Sequence, residues 1–105
     1  MPDNKTTTAY AASLVIKSAP GYLHGLTIYN SKTSTQFIQL HDAAALPAEG
    51  AVPSVLLPVA ATSGIGLDYG EDGRYFSSGI VICNSSTGPT KTIGSDDIWV
   101  DAQYA

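Results

Sequence analysis

Residues Leu23 to His41 read LHGLTIYNSKTSTQFIQLH, and this stretch decides the fold class. In its first part Leu26 and Ile28 fall on one side of a two-residue period, and Thr27 and Tyr29 fall on the other. That alternation belongs to a β-strand with one buried face, because successive side chains of a strand point to opposite sides. The polar run Ser31 to Ser34 then stops the pattern and reads as a hairpin loop. From Thr35 to His41 the alternation returns, with Ile38 and Leu40 on an aliphatic face and Phe37, Gln39 and His41 on a mixed one.

Outward from this pair the same grammar continues. Ser13 to Lys17 is a short β-branched and apolar run closed by Ser18, Ala19, Pro20 and Gly21. Residues 42–53 are alanine-rich, but Pro47, Gly50 and Pro53 leave room for one helical turn at most. Val55 to Ala60 contains Pro58, which cannot donate to a ladder, so an edge strand or bulge is expected. Ile65 to Tyr69 runs into Gly70, Glu71, Asp72 and Gly73, a turn whose Asp-Gly pair favours left-handed backbone. Gly79 to Asn84, a short run around Thr92 and Ile93, and Ile98 to Tyr104 complete about eight short strands. The expected fold is therefore all-β, a single-domain β-sandwich of jelly-roll type over residues 11–105. Its core draws on Leu26, Ile28, Ile38, Leu40, Ile80, Ile82, Ile98 and Val100. Residues 1–10, nearly devoid of apolar side chains, are expected to be a flexible N-terminal arm that orders on a neighbour. GLTIYNSKT at Gly25 to Thr33 is echoed by GIVICNSST at Gly79 to Thr87, either as equivalent strand-to-turn corners or by coincidence.

Length and composition restrict function more than they name it. A chain of 105 residues has room for one core. Charged residues make up 13% of it, about half the share usual in soluble domains, so serine and threonine are expected to cover the surface instead. Formal net charge is −4, and the five cations Lys5, Lys17, Lys32, Arg74 and Lys91 are scattered, which argues against a nucleic-acid partner. No run approaches the roughly 18 apolar residues of a membrane span, and the start MPDNKTTT lacks a signal-peptide core, so synthesis in a cytoplasm is expected. The lone cysteine, Cys83, sits in the apolar run Ile80 to Ile82 and reads as a small buried hydrophobe.

A search for chemistry returns no catalytic site, cofactor site or metal site. His41 stands beside Asp42, and His24 precedes Gly25, but no nucleophile elbow or phosphate-cradling glycine pattern accompanies either histidine. Carboxylates gather at Asp68, Glu71 and Asp72, and again at Asp96, Asp97 and Asp101, without calcium-loop spacing. Such residues are expected to serve turns and solubility. Trp99 alternates out of phase with Ile98 and Val100, so it is exposed, covered by another subunit, or part of a sugar-stacking platform with the six tyrosines.

From Gly21 onward the chain, with GLTIYNSKTSTQFIQLHDAAALPAEGAVP at Gly25 to Pro53 and GIVICNSSTGPTKTIGSDDIWVDAQYA at its end, resembles small β-sandwich structural proteins of tailed bacteriophages. The resemblance covers about 80 of the 105 residues and leaves out the first ten. It implies a non-enzymatic virion component made in a host cytoplasm, most simply a capsid decoration or cement protein that stabilises the particle. A neck or tail accessory, or a carbohydrate-binding module used in host adsorption, is the alternative. The implied partners are the major capsid protein or other virion proteins, and the low charge with its surplus of tyrosine and aliphatic residues adds an expectation of self-association, with a homo-trimer favoured.

Overall fold

The computed structural model describes residues 3–105, which form nine strands and no helix. In chain order these are β1 (Asp3–Thr6), β2 (Ser13–Lys17), β3 (Gly21–Asn30), β4 (Gln36–Asp42), β5 (Val55–Val59), β6 (Ser63–Asp68), β7 (Arg74–Phe76), β8 (Ile80–Ser85) and β9 (Ile98–Tyr104). They build two antiparallel sheets: sheet A in the order β1-β9-β3-β6, with β7 also on β3, and sheet B in the order β2-β8-β4-β5.

The pairing is nested. β1 pairs β9, β2 pairs β8, β3 pairs β6, and β4 pairs β5, so the chain is one long hairpin bent between β4 and β5. Successive pairs alternate between the sheets, which is the winding of a jelly roll. β6 and β7 lie end to end on the same side of β3, one against Gly25 to Asn30 and the other against Gly21 to Leu23. Nine segments thus occupy eight strand positions, although β1 and β7 were not among the strands expected from the sequence and the run around Thr92 and Ile93 was. Between β6 and β7 the chain turns through Gly70 (φ 75°) and Gly73 (φ 71°), left-handed positions that glycine occupies without strain.

All eight residues assigned to the core from strand phase are buried between the sheets, joined by Ile16, Leu23, Val59, Phe76 and Ala102. Burying a leucine or isoleucine side chain contributes about 1.5–3 kcal/mol, so this layer is the main source of stability.

Several expectations need correction. β3 and β4 are not a hairpin: they lie in different sheets, and the segment between them crosses the sandwich. Leu26 and Ile28 face Ile38 and Leu40 across the core rather than along a ladder, and alternation alone cannot tell face-to-face packing from edge pairing. The buried Asn30 side chain fixes the crossing. Its Nδ2 donates to the carbonyls of Ser34 (3.0 Å), Val59 (3.1 Å) and Ala60 (3.1 Å), while its Oδ1 accepts from the Lys32 amide (3.0 Å). The run around Thr92 and Ile93 forms only an isolated bridge, Ser85 to Ile93, because this segment arches over sheet B. Of the residues read as an arm, 3–6 lie along β9 as a fully exposed edge strand, and residues 1 and 2 lie outside the described residues. Pro58 sits opposite Phe37 in the edge strand β5, where its missing N–H costs no ladder bond.

Candidate functional site

The two outer faces of the sandwich differ, and the difference locates the surface available to a partner. On sheet B the outward phase of β4 and β8, comprising Gln39, His41, Val81, Cys83 and Ser85, is buried. Residues 86–92 roof it. Gln39 holds the roof: its Nε2 donates to the carbonyls of Thr87 (3.2 Å), Gly88 (2.8 Å) and Thr90 (3.1 Å). That fixes the amide orientation, so Gln39 Oε1 is the acceptor for His41 Nε2 at 3.0 Å and for Cys83 Sγ at 3.7 Å. His41 therefore carries its proton on Nε2. Burial, reinforced by the charge of Lys91, holds the imidazole below its ordinary value of 6.5. Burial also pushes the Cys83 thiol up to about 11, which removes its nucleophilic character near neutral pH. At the margin of the roof the buried Lys91 ammonium pairs with the Glu49 carboxylate. That carboxylate lies below its usual range, chiefly through the Lys91 hydrogen bond and next through the amide of Ile93. This polar cluster is structural: every donor named is committed inside the protein.

His41 and Asp42 do not meet as a dyad. Adjacent residues of β4 point to opposite sides, and Asp42 turns to the loop before β8. Its carboxylate accepts from the amides of Ser78 (2.7 Å), Ser77 (3.1 Å) and Gly79 (3.4 Å) and from the Ser77 hydroxyl (2.9 Å). The Ser78 amide is the largest of the causes that hold this carboxyl below its ordinary value. The two acidic groups are likewise dispersed into local roles. Asp68 accepts from the Gly70 amide at 2.8 Å, Asp101 accepts from the Thr6 hydroxyl at 3.1 Å, and Asp97 receives Gln36 and Ser95. Among the described residues no three metal-ligating side chains converge.

The outer face of sheet A has no roof, and register lays it out as three rows. Tyr29 stands beside Trp99 and Gly64, Thr27 beside Asp101 and Gly66, and Gly25 beside Gln103 and Asp68. The aromatic row extends to Tyr10, whose ring meets Trp99 edge-on at 6.2 Å. Trp99 itself is 39% exposed, so the out-of-phase tryptophan is on the surface of the single chain. A second aromatic pair, Tyr22 and Tyr75 with centroids 5.0 Å apart, stands where β7 meets β3. The glycine row opens into a groove of about 730 Å³ lined by His24, Gly25, Asp68, Gly70, Glu71 and Gln103. There His24 Nδ1 donates to the Gly70 carbonyl at 3.0 Å, which ties the groove wall to the turn between β6 and β7. The rows carry no cation. A flat, half-apolar surface with aromatic anchors and few charges resembles the buried part of a protein interface.

No family model and no curated protein sequence matches the chain. Among solved structures, the coat protein of tobacco streak virus is similar at 12% sequence identity and a TM-score of 0.47, over 98% of this chain and 85% of that one. Likeness of that degree assigns no function to the chain.

The aromatic row was legible as a surplus of tyrosine and one out-of-phase tryptophan. The groove was not, because it is lined by Gly25 of β3, Asp68 at the end of β6, Gly70 of the following turn and Gln103 of β9, residues far apart in the chain. Gln39 was also missed: within β4 it looks like an ordinary outward polar residue.

Proposed function

We propose that the protein is a non-enzymatic structural component of a virus particle, a decoration or cement protein that occupies a repeated site on a capsid and seats there through the outer face of sheet A. The observation that carries this reading is the unroofed row of Tyr29, Trp99 and Tyr10 on a face without cations, opposite a face already sealed by residues 86–92. Tyrosine and tryptophan supply large contact area at little cost in side-chain entropy, and they are the residues on which interface energy concentrates. The jelly roll is compatible with this reading and with lectin-like ones, so the fold alone does not choose between them.

In this reading residues 1–10 add a second attachment. β1 contributes no buried side chain, and it is held on β9 by backbone pairing and by the Thr6 to Asp101 bond. Exchanging β9 for a strand of a neighbouring subunit gives up only this exposed pairing of residues 3–6, while the buried Thr7, bonded to Val100 through its amide and its hydroxyl, keeps the arm rooted in the domain as the strand bridges two subunits. Association of the chain into trimers on the particle belongs to the same proposal.

The test is the number of copies on purified particles. Trp99→Ala combined with Tyr29→Ala lowers occupancy after gradient purification at least tenfold, with the melting temperature of the free protein little changed. Failure of the parent protein to co-purify with any particle overturns the virion assignment. A second reading, a carbohydrate-binding module or neck or tail accessory used in adsorption, is favoured by the groove beside Gly25. Glycan-array binding abolished by Asp68→Ala and Gln103→Ala would select it.

A further inference from the structure

Each sheet has two edges, and a strand at an edge presents unpaired amides and carbonyls that must be shielded from other chains. Three of the four edges here are blunted. β1 is four residues long and carries Asp3 and Lys5. β2 breaks register between Val15 and Lys17, a bulge beside a cation. β5 contains Pro58 in mid-strand. The fourth edge, β6, is different: Ser63 to Asp68 pairs with β3 in unbroken register and holds no proline, bulge or cation.

The direction of its free groups follows from the ladder. Tyr69 N–H donates to the His24 carbonyl at 2.8 Å, in register with the β3–β6 pairing. Hydrogen-bonded and free positions alternate along an antiparallel strand. Residues 63, 65 and 67 therefore bond to β3, whereas Gly64, Gly66 and Asp68 turn their N–H and C=O to the open side. On the core side of the same edge Ile65 and Leu67 are only half-buried, although they pack against the hydrophobic cluster.

We propose that β6 is a self-association edge, taking β6 of a second copy of this chain in antiparallel pairing about a two-fold axis through Gly66. This register is the one that engages all three outward-turned residues: Gly64 with Asp68 of the other copy, Gly66 with its own equivalent, and Asp68 with Gly64. Two consequences favour a second copy as the occupant. Each Asp68 carboxylate faces a glycine and lies about four residues, roughly 14 Å, along the strand from its equivalent, beyond the screening length at physiological salt. Each Ile65 falls opposite a Leu67, so the two half-buried apolar pairs cover one another. The pairing adds about six backbone hydrogen bonds and joins the two A sheets into one. This inference does not depend on the virion reading, since it concerns the protein in solution.

Cross-linking tests the register. In a hydrogen-bonded antiparallel pair the Cα atoms are about 5.5 Å apart, within disulfide reach. Gly66→Cys is compatible with the fold, because a Cβ there meets only the Leu26 carbonyl at 3.7 Å. Under mild oxidation Gly66→Cys runs as a covalent dimer on a non-reducing gel. Thr27→Cys, one strand further in and about 14 Å from its equivalent by strand spacing, stays monomeric. Gly66→Lys places like charges opposite each other and halves the mass of the parent assembly in sedimentation equilibrium at 50 µM, as does Gly66→Pro, which removes the central donor. A parent that sediments as the 10.9 kDa chain, absence of the Gly66→Cys dimer, or unchanged association of both Gly66→Lys and Gly66→Pro overturns the proposal. None of these results bears on particle binding, which is read separately from occupancy.

Discussion

Replacing Gln39 by leucine removes the amide that holds residues 86–92 over sheet B while nearly conserving volume, so the cost comes from hydrogen bonds rather than from a cavity. Not every partner is orphaned. The Thr87 carbonyl also accepts from the Ser85 hydroxyl at 2.7 Å, and the Thr90 carbonyl also accepts from the Thr87 hydroxyl at 2.8 Å. The groups left without a partner are the Gly88 carbonyl and the His41 Nε2–H, both in buried bonds. At about 1–3 kcal/mol for each buried group left unsatisfied, the loss is about 2–6 kcal/mol. That is a large part of the 5–15 kcal/mol typical of a whole domain. With a urea slope of about 2 kcal/mol/M the unfolding midpoint falls by roughly 1–3 M. Hydrogen exchange gives the second readout: amides of Thr87 to Thr92 lose protection relative to those of β3 and β9. A midpoint within 0.25 M of the parent, with protection of residues 87–92 unchanged, would refute the reasoning.

Four further outcomes follow from the same packing. His41 titrates lower in the folded chain than its ordinary 6.5, so the unfolded state takes up the proton first; stability is full above pH 6.5 and falls as the pH drops through that value toward the folded one. Urea titrations between pH 8 and 5 show this slope, and it is reduced in His41→Gln. Asp42 is held below its ordinary 3.8, so its contribution is present above that pH and is lost on acidification; the gap in midpoint between parent and Asp42→Ala narrows as the pH drops through 3.8 toward the folded value. Cys83, with its thiol near 11 and no exposure, stays unmodified by a thiol reagent at pH 8 and reacts stoichiometrically in 6 M guanidinium. Ile82→Asp sets a carboxylate in the core and abolishes cooperative unfolding of the domain; a melting temperature within a degree or two of the parent would contradict the strand phase.

The parts of the fold visible in the sequence are those governed by local period. Ile80 and Ile82, Ile98 and Val100, and Leu26 and Ile28 keep strict two-residue spacing, and that spacing fixes which face is buried whatever the strand pairs with. The connection between β3 and β4 was misread because a loop of this length serves a hairpin or a crossing between sheets equally well. The crossing is set by Asn30 bonding to Val59 and Ala60, residues about thirty positions away. The echo of Asn30 at Asn84 has a partial structural counterpart. Both side chains are buried at strand ends, but Asn84 donates to the Ser95 carbonyl (3.0 Å) and its Oδ1 has no partner, whereas Asn30 uses both ends of its amide. For the candidate face, the aromatic residues were visible, but their alignment across β3 and β9 depends on tertiary register.

The nested pairing also sets an order of events for a chain emerging from a ribosome. The bend between β4 and β5 can close early, since its two strands are separated by twelve residues, 43–54, but each surrounding pair encloses a longer stretch than the one inside it. β1 has no partner until β9 has been made, on the order of ten seconds later at ordinary elongation rates. Until then β3 lacks its neighbour on that side, and Trp99, Val100 and Ala102 are not yet there to cover it. High contact order of this kind gives folding in milliseconds to seconds once synthesis is complete, and it leaves half-finished chains with open strands. Crowded on polysomes, such chains are candidates for mispairing with one another, so yield in expression should respond more to temperature and chaperone supply than the stability of the finished domain alone would indicate.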